Sequence, residues 1–104
     1  MVKHMPPKFT SSLGLQLDIP NIVSEILAFM HADAGRKYTV IIGSDSLLLP
    51  SKNADFVTAI VVHRVGNGGR YFWRRTDHGK FHTLRDRIIR EVLLSLEAAD
   101  LLLK

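Results

Sequence analysis

Two acidic residues stand where carboxylates could do chemistry, one on a predicted strand and one on a predicted helix. Asp45 interrupts the apolar run VIIGSDSLL, residues 40–48, where an unpaired charge is costly to bury. Glu91 lies on the flank of the apolar stripe of the last predicted helix. A helix packed over that strand would bring the two side chains to one pocket. The sequence therefore predicts a carboxylate pair, Asp45 with Glu91.

Two carboxylates held close together need a cation between them. Because the chain has no cysteine, hard oxygen ligands favour Mg²⁺ or Mn²⁺ over zinc. Such an ion suits phosphodiester hydrolysis, in which metals activate water and stabilise the departing oxygen. In the structural alternative, Asp45 accepts hydrogen bonds from neighbouring serines or backbone. Glu91 then pairs with Arg87 or Arg90.

Basic residues concentrate late in the chain. Half of the 14 lysines and arginines fall within residues 70–90, and a positive surface of this kind attracts a polyanion. The predicted nucleic-acid face comprises Arg70, Arg74, Arg75, Lys80 and Arg85. The alternative is an arginine-rich surface that keeps the protein soluble and binds nothing.

Length and composition limit the class of protein. The 104 residues suffice for one domain, and 46% hydrophobic with 23% charged residues is a globular composition. The absence of cysteine excludes disulfides and thiolate catalysis and is typical of a reducing cytoplasm. The apolar runs are too short for a membrane span, and the N-terminus lacks the apolar core of a signal peptide. We therefore expect a soluble cytoplasmic protein with no membrane partner.

The elements follow in a helix–strands–helix order, which predicts an α+β fold. Residues 1–17 contain prolines and serines and predict a flexible N-terminal lead-in to a single domain over 18–104. Asp18 is the expected cap of a first helix that ends at Gly35. Three antiparallel strands follow, predicted at 38–49, 56–65 and 70–76. A long helix from about Thr83 to the C-terminus closes the chain.

The sequence GNGG at 66–69 predicts the turn between the second and third strands. With Asn67-Gly68 as the two loop residues, His63 would pair with Phe72. Successive strand residues alternate between the two faces of a sheet. Core packing is the expected use of Phe72 rather than a base-stacking platform.

The last helix carries apolar residues on more than one side. Its continuous stripe, expected to face the sheet, consists of Ile88, Val92, Ser95, Leu96, Ala99 and Leu103. Leu94, Ala98 and Leu101 lie away from that stripe. Both sides of the helix therefore require burial.

Three stretches, IIGSDS, FVTAIVVHRVGNGGRYFWRR and LRDRIIREVLLSLEAADLL, resemble the YkuK-type ribonuclease-H-like family of uncharacterised bacterial proteins. The resemblance runs from about Tyr38 to the end of the chain and implies a ribonuclease-H-like fold. It implies that Asp45 occupies the position of a catalytic first-strand aspartate and Glu91 that of the helix acid. Both would then be metal ligands for Mg²⁺ or Mn²⁺ in a nuclease acting on phosphodiester bonds. The alternative is a non-catalytic module, nucleic-acid-binding or self-associating, on the same scaffold.

The complete superfamily fold continues past this helix with two more strands, which carry further acidic ligands. The resemblance therefore implies a domain that is incomplete at its C-terminal end, with an incomplete ligand set. The first strand would become a long apolar sheet edge, which natural proteins usually cover. We expect a homo-oligomer formed through the first-strand edge or the C-terminal helix. The alternative is that the sequence is one half of a longer protein.

Overall fold

Five antiparallel strands and two helices build the part of the chain that the structure, a computed structural model, describes: residues 7–51, 53–81 and 83–103. The helices are α1 (Ile19–His31) and α2 (Leu84–Leu103). The strands are β1 (Lys8–Ser11), β2 (Gln16–Asp18), β3 (Tyr38–Leu48), β4 (Asn53–Arg64) and β5 (Gly69–Lys80). The α+β class and the order of helix, three antiparallel strands and helix are confirmed.

The sheet has the strand order β2-β1-β5-β4-β3 and one covered face. Along β4 the buried residues alternate with more exposed ones, and Phe56, Ile60 and Val62 are fully buried. Ile60 and Val62 join residues of both helices in one core. We call this side of the sheet the helix face. The other side, which carries Val57 and Trp73, is the open face.

The N-terminal segment requires a correction. Residues 1–17 were expected to be flexible, but β1 and β2 form a hairpin there, and β1 pairs with β5 through Thr10 opposite Trp73. Phe9 is 2% exposed and belongs to the core. Burial of this aromatic ring and the strand pairing fix the segment against the sheet. Residues 1–6 lie outside the described residues.

Helix α1 begins as predicted. The Asp18 carboxylate accepts a hydrogen bond of 3.1 Å from the Asn21 backbone N–H and caps the first turn. On the inner side of the helix, the buried residues are Ile22, Ile26 and Phe29. The helix ends at His31, earlier than the expected Gly35, and a turn leads into β3.

The β4–β5 hairpin has a different register from the predicted one. His63 lies opposite Gly69 and Ile60 opposite Phe72, because four residues rather than two form the loop. Gly66 and Gly68 both adopt a φ of 88° in this loop, which only glycine takes without strain. The shift turns Phe72, 1% exposed, into the core on the helix face. Core packing of Phe72 is therefore confirmed, while its predicted pairing with His63 is wrong.

Helix α2 also faces the sheet with a different side from the predicted one. Leu94 and Ala98 are the buried residues, whereas Val92 and Leu96 on the predicted stripe are 53% and 60% exposed. The polar contacts of Glu91 and Ser95 with β3 fix this rotation of the helix. In the described ranges no helix is long and apolar enough to cross a membrane.

Candidate nucleic-acid interface

Asp45 lies on the open face and is exposed. It stands opposite Val57 in the β3–β4 ladder. Its carboxylate accepts a hydrogen bond of 2.8 Å from the backbone N–H of Ser46. It lines a broad cavity of about 770 Å³ together with Trp73 and Arg75. The structural interpretation of Asp45, hydrogen bonding to nearby backbone, is thus the one that the structure shows.

Glu91 lies on the helix face, at the contact of α2 with β3. Its carboxylate accepts a hydrogen bond from the hydroxyl of Ser46. One helical turn further on, the hydroxyl of Ser95 donates to that of Ser44 at 2.9 Å. The hydroxyl of Ser44 in turn bonds that of Thr58 at 3.0 Å. These side chains form a polar seam that fixes α2 over the sheet. The partner of Glu91 in this seam is Ser46, and not Arg87 or Arg90 as in the structural alternative.

The expected carboxylate pair is therefore not formed. Asp45 and Ser46 are consecutive strand residues, so their side chains lie on opposite faces of the sheet. Since Ser46 contacts Glu91 on the helix face, the sheet separates Glu91 from Asp45. The two residues do not fit one shared Mg²⁺ or Mn²⁺ ion. Among the described residues, no group of three His, Cys, Asp or Glu side chains could hold a metal ion.

The predicted basic residues do not share one face, because successive residues of a strand point to opposite sides of the sheet. Arg75 lies on the open face and forms an ion pair with Asp55. The hydrogen bond and the charge of Asp55 raise the pKa of Arg75 above its usual value. Arg74, its neighbour, lies on the helix face beside α2. The guanidinium carbon of Arg70 lies 4.6 Å from the centroid of the Phe29 ring, against α1.

Three cations lie along the surface where β5 meets α2. Lys80 and Arg90 line a space of about 330 Å³ together with the ring of Phe81. Arg74 lines a separate, much smaller space of about 10 Å³ together with Glu97 of α2. We call the surface that carries Arg74, Lys80, Arg90 and Phe81 the basic groove. Arg85 is exposed in the first turn of α2.

Two residues of the basic groove were not among the predicted site residues. In the sequence prediction, Arg90 is only a possible partner of Glu91, because the predicted stripe turns a different side of α2 to the sheet. Leu94 follows Arg90 by one helical turn, and residues four apart share a helix side. The burial of Leu94 would have placed Arg90 beside the sheet. Phe81 follows β5, and its ring packs edge-on to Phe56 with centroids 5.4 Å apart.

Comparison with known families supplies a relationship that covers most of the chain. A family model described as Ribonuclease H-like matches residues 21–104. Comparison with curated proteins and with solved structures gives no match. The matched region contains most of α1, the three long strands, α2 and all of the predicted site residues. The chain therefore belongs to the Ribonuclease H-like family, which confirms the resemblance to its YkuK-type members.

Proposed function

We propose that this protein binds single-stranded nucleic acid in the basic groove and does not cleave it with Asp45 and Glu91. The observation that carries the proposal is the pair Lys80 and Arg90 in one space between β5 and α2, with Arg74 on the same side of β5 beside α2. Cations spaced along a groove neutralise successive phosphates and so follow a nucleic-acid backbone.

The shape and chemistry of the groove favour a single strand. Arg74 and Lys80 are six residues apart on β5, which corresponds to about 20 Å of strand. The half-buried ring of Phe81 beside Lys80 offers one aromatic surface for an unpaired base. Asp86 and Glu97 also line the groove, and their negative charges repel the phosphates and weaken binding. We therefore expect a dissociation constant in the range of about 10⁻⁶ to 10⁻⁴ M at physiological salt, as for non-specific binding.

The separation of the carboxylates supports binding rather than hydrolysis. Metal-assisted cleavage needs ligands that converge on the same ion. Asp45 on the open face and Glu91 in the seam do not converge. Magnesium therefore has no assigned ligand set in this proposal, and binding should be insensitive to EDTA.

The experiment measures binding of fluorescein-labelled single-stranded RNA and DNA by anisotropy, with a blunt duplex for comparison. A groove variant combines Arg74→Gln, Lys80→Gln and Arg90→Gln. It should lose at least about tenfold in affinity for the single strand, because three phosphate contacts disappear.

A charge-matched control distinguishes the contribution of the groove residues to binding from the effect of net charge. It combines Lys8→Gln, Arg36→Gln and Lys37→Gln, three exposed cations outside the groove. The control should bind within about twofold of the wild type, since long-range charge contributes little at physiological salt. Equal losses in both variants would refute the groove. Mg²⁺-dependent cleavage abolished by both Asp45→Asn and Glu91→Gln would instead establish the nuclease.

A further inference from the structure

Strand β3 presents an unpaired edge. It has 11 residues and is the last strand on its side of the sheet in the described ranges. Backbone hydrogen bonds join the two ends of the β3–β4 pair. The Leu49 N–H donates to the Asn53 carbonyl at 2.8 Å, and the Val65 N–H donates to the Lys37 carbonyl at 2.9 Å. Bonded pairs alternate along an antiparallel ladder. The backbone N–H and C=O groups of the odd-numbered residues of β3 therefore point to β4. Those of the even-numbered residues point to the unpaired edge.

The exposed stripe of α2 runs directly beside that edge. Val92 and Leu96 line a groove together with Gly43 and Ser44 of β3 and with Ser95 and Glu91 of α2. This exposed stripe differs from the stripe predicted to face the sheet in having Leu84 and lacking Ser95. It comprises six uncharged residues: Leu84, Ile88, Val92, Leu96, Ala99 and Leu103. Five of them are large and between 48% and 86% exposed. The strand edge and the stripe form one continuous surface, which we call the edge surface.

We propose that the edge surface binds a second copy of this chain across a two-fold axis. The two β3 strands would pair antiparallel and join the sheets, and the two α2 helices would pack side by side above them. The geometry is consistent. Helix α2 contacts both β3 and β4, and strands are about 4.8 Å apart, so two helices each lying between these strands would be separated by about 10 Å. Packed helices are separated by about 8–10 Å.

The chemistry of the edge surface favours a second copy over a different partner. A two-fold antiparallel pair is self-complementary, because each strand donates and accepts with the same residues. The stripe itself carries no charge, and Glu91, the acidic residue in the groove beside it, accepts a hydrogen bond from Ser46 of its own chain. The stripe therefore meets its own copy without like-charge repulsion between stripe residues. Asp45 is compatible with this arrangement. Its carboxylate engages the Ser46 N–H, which leaves the edge groups of Val40, Ile42 and Ser44 for pairing.

The dimer and the basic groove lie on different sides of α2. Val92 lines the groove beside β3, whereas its neighbour Leu93 lines the groove beside Lys80 and Phe81. Self-association would therefore leave the nucleic-acid site accessible. The two proposals stand independently and are tested with different variants.

Sedimentation velocity of the full chain across the micromolar range tests the proposal. The expected result is a reversible dimer of twice the 11.7 kDa monomer mass. Val92→Asp should give a monomer. Leu93→Asp is the matched control, because it removes an equally exposed apolar side chain (50% against 53%) from the other side of the helix. It should stay dimeric, and circular dichroism should show both variants folded.

Hydrogen exchange tests the strand pairing without a variant. The amides of Val40, Ile42 and Ser44 should become protected as the protein concentration rises through the dimerisation range, because their N–H groups enter the new ladder. A monomer at all concentrations overturns the proposal and leaves the edge surface to a different occupant. Equal dissociation by Val92→Asp and Leu93→Asp, or a dimer whose edge amides stay unprotected, also overturns it.

Discussion

The salt dependence of nucleic-acid binding gives a quantitative test of the basic groove. Three cations line it: Arg74, Lys80 and Arg90. Each neutralised phosphate of a single strand contributes about −0.7 to the slope of log affinity against log salt, so three contacts give a slope of about −2. A rise from about 50 to 200 mM salt should then weaken binding by about 20-fold.

Arg90→Gln is the informative single substitution, because Arg90 was identified from the structure and not from the sequence. Anisotropy titrations at several salt concentrations should give it a slope of about −1.4, one contact fewer than the wild type. Arg36→Gln should keep the wild-type slope, since Arg36 pairs with Asp33 at 3.1 Å outside the groove. If the slope of Arg90→Gln equals that of the wild type, Arg90 contacts no phosphate and the groove is wrongly assigned.

Two further predictions concern the packing that forms the groove. Leu94→Ala should lower the free energy of unfolding by about 2–5 kcal/mol in urea titrations, because this buried side chain packs α2 against the cluster that contains Phe56. Leu93→Ala, at a half-exposed position, should cost less than about 1 kcal/mol, and equal effects would contradict the observed rotation of α2. Tyr38→Phe removes a hydroxyl whose single proton is directed at the carbonyl of Asp33 (2.6 Å), just after α1, and is shared with that of Met30 (3.1 Å) in its last turn. It should cost about 1–2 kcal/mol and lower the melting temperature by about 4–8 °C per kcal/mol, and an unchanged melting temperature would show that these bonds do not hold α1.

Features encoded by neighbouring residues were predictable from the sequence. The cap of α1 at Asp18 and that of α2 at Thr83, whose hydroxyl accepts the Asp86 N–H at 3.1 Å, both follow from spacings of three residues. Strands β3 and β4 were recognisable from their apolar runs, and β5 from the GNGG turn that precedes it. Local hydrogen bonding and apolar content determine these features, so no knowledge of distant contacts is needed.

The rotation of α2 was not predictable in the same way. Ile88 and Val92 form as apolar a side as Leu94 and Ala98, so hydrophobicity alone does not select the buried side. The choice is made by contacts distant in sequence, including Ser95 with Ser44. The incorrect rotation left Arg90 out of the predicted nucleic-acid face and placed Glu91 opposite Asp45.

The hairpin register and the first two strands failed for related reasons. The count of loop residues between β4 and β5 sets which side chains share a face, and a change from two residues to four moved Phe72 away from His63. Strands β1 and β2 have four and three residues, too short for a clear periodicity. Strand β1 forms because β5 supplies an edge to pair with, and β2 pairs with β1 in turn. The segment itself does not reveal that edge.

Within the described residues, the two outer strands differ greatly in length: β2 has three residues and β3 has 11. The proposed dimer uses the long border of both copies, and a two-fold axis joins that border to itself. A third copy would then find no free β3 border to add to. Association by this route would stop at a closed pair instead of propagating into a fibre.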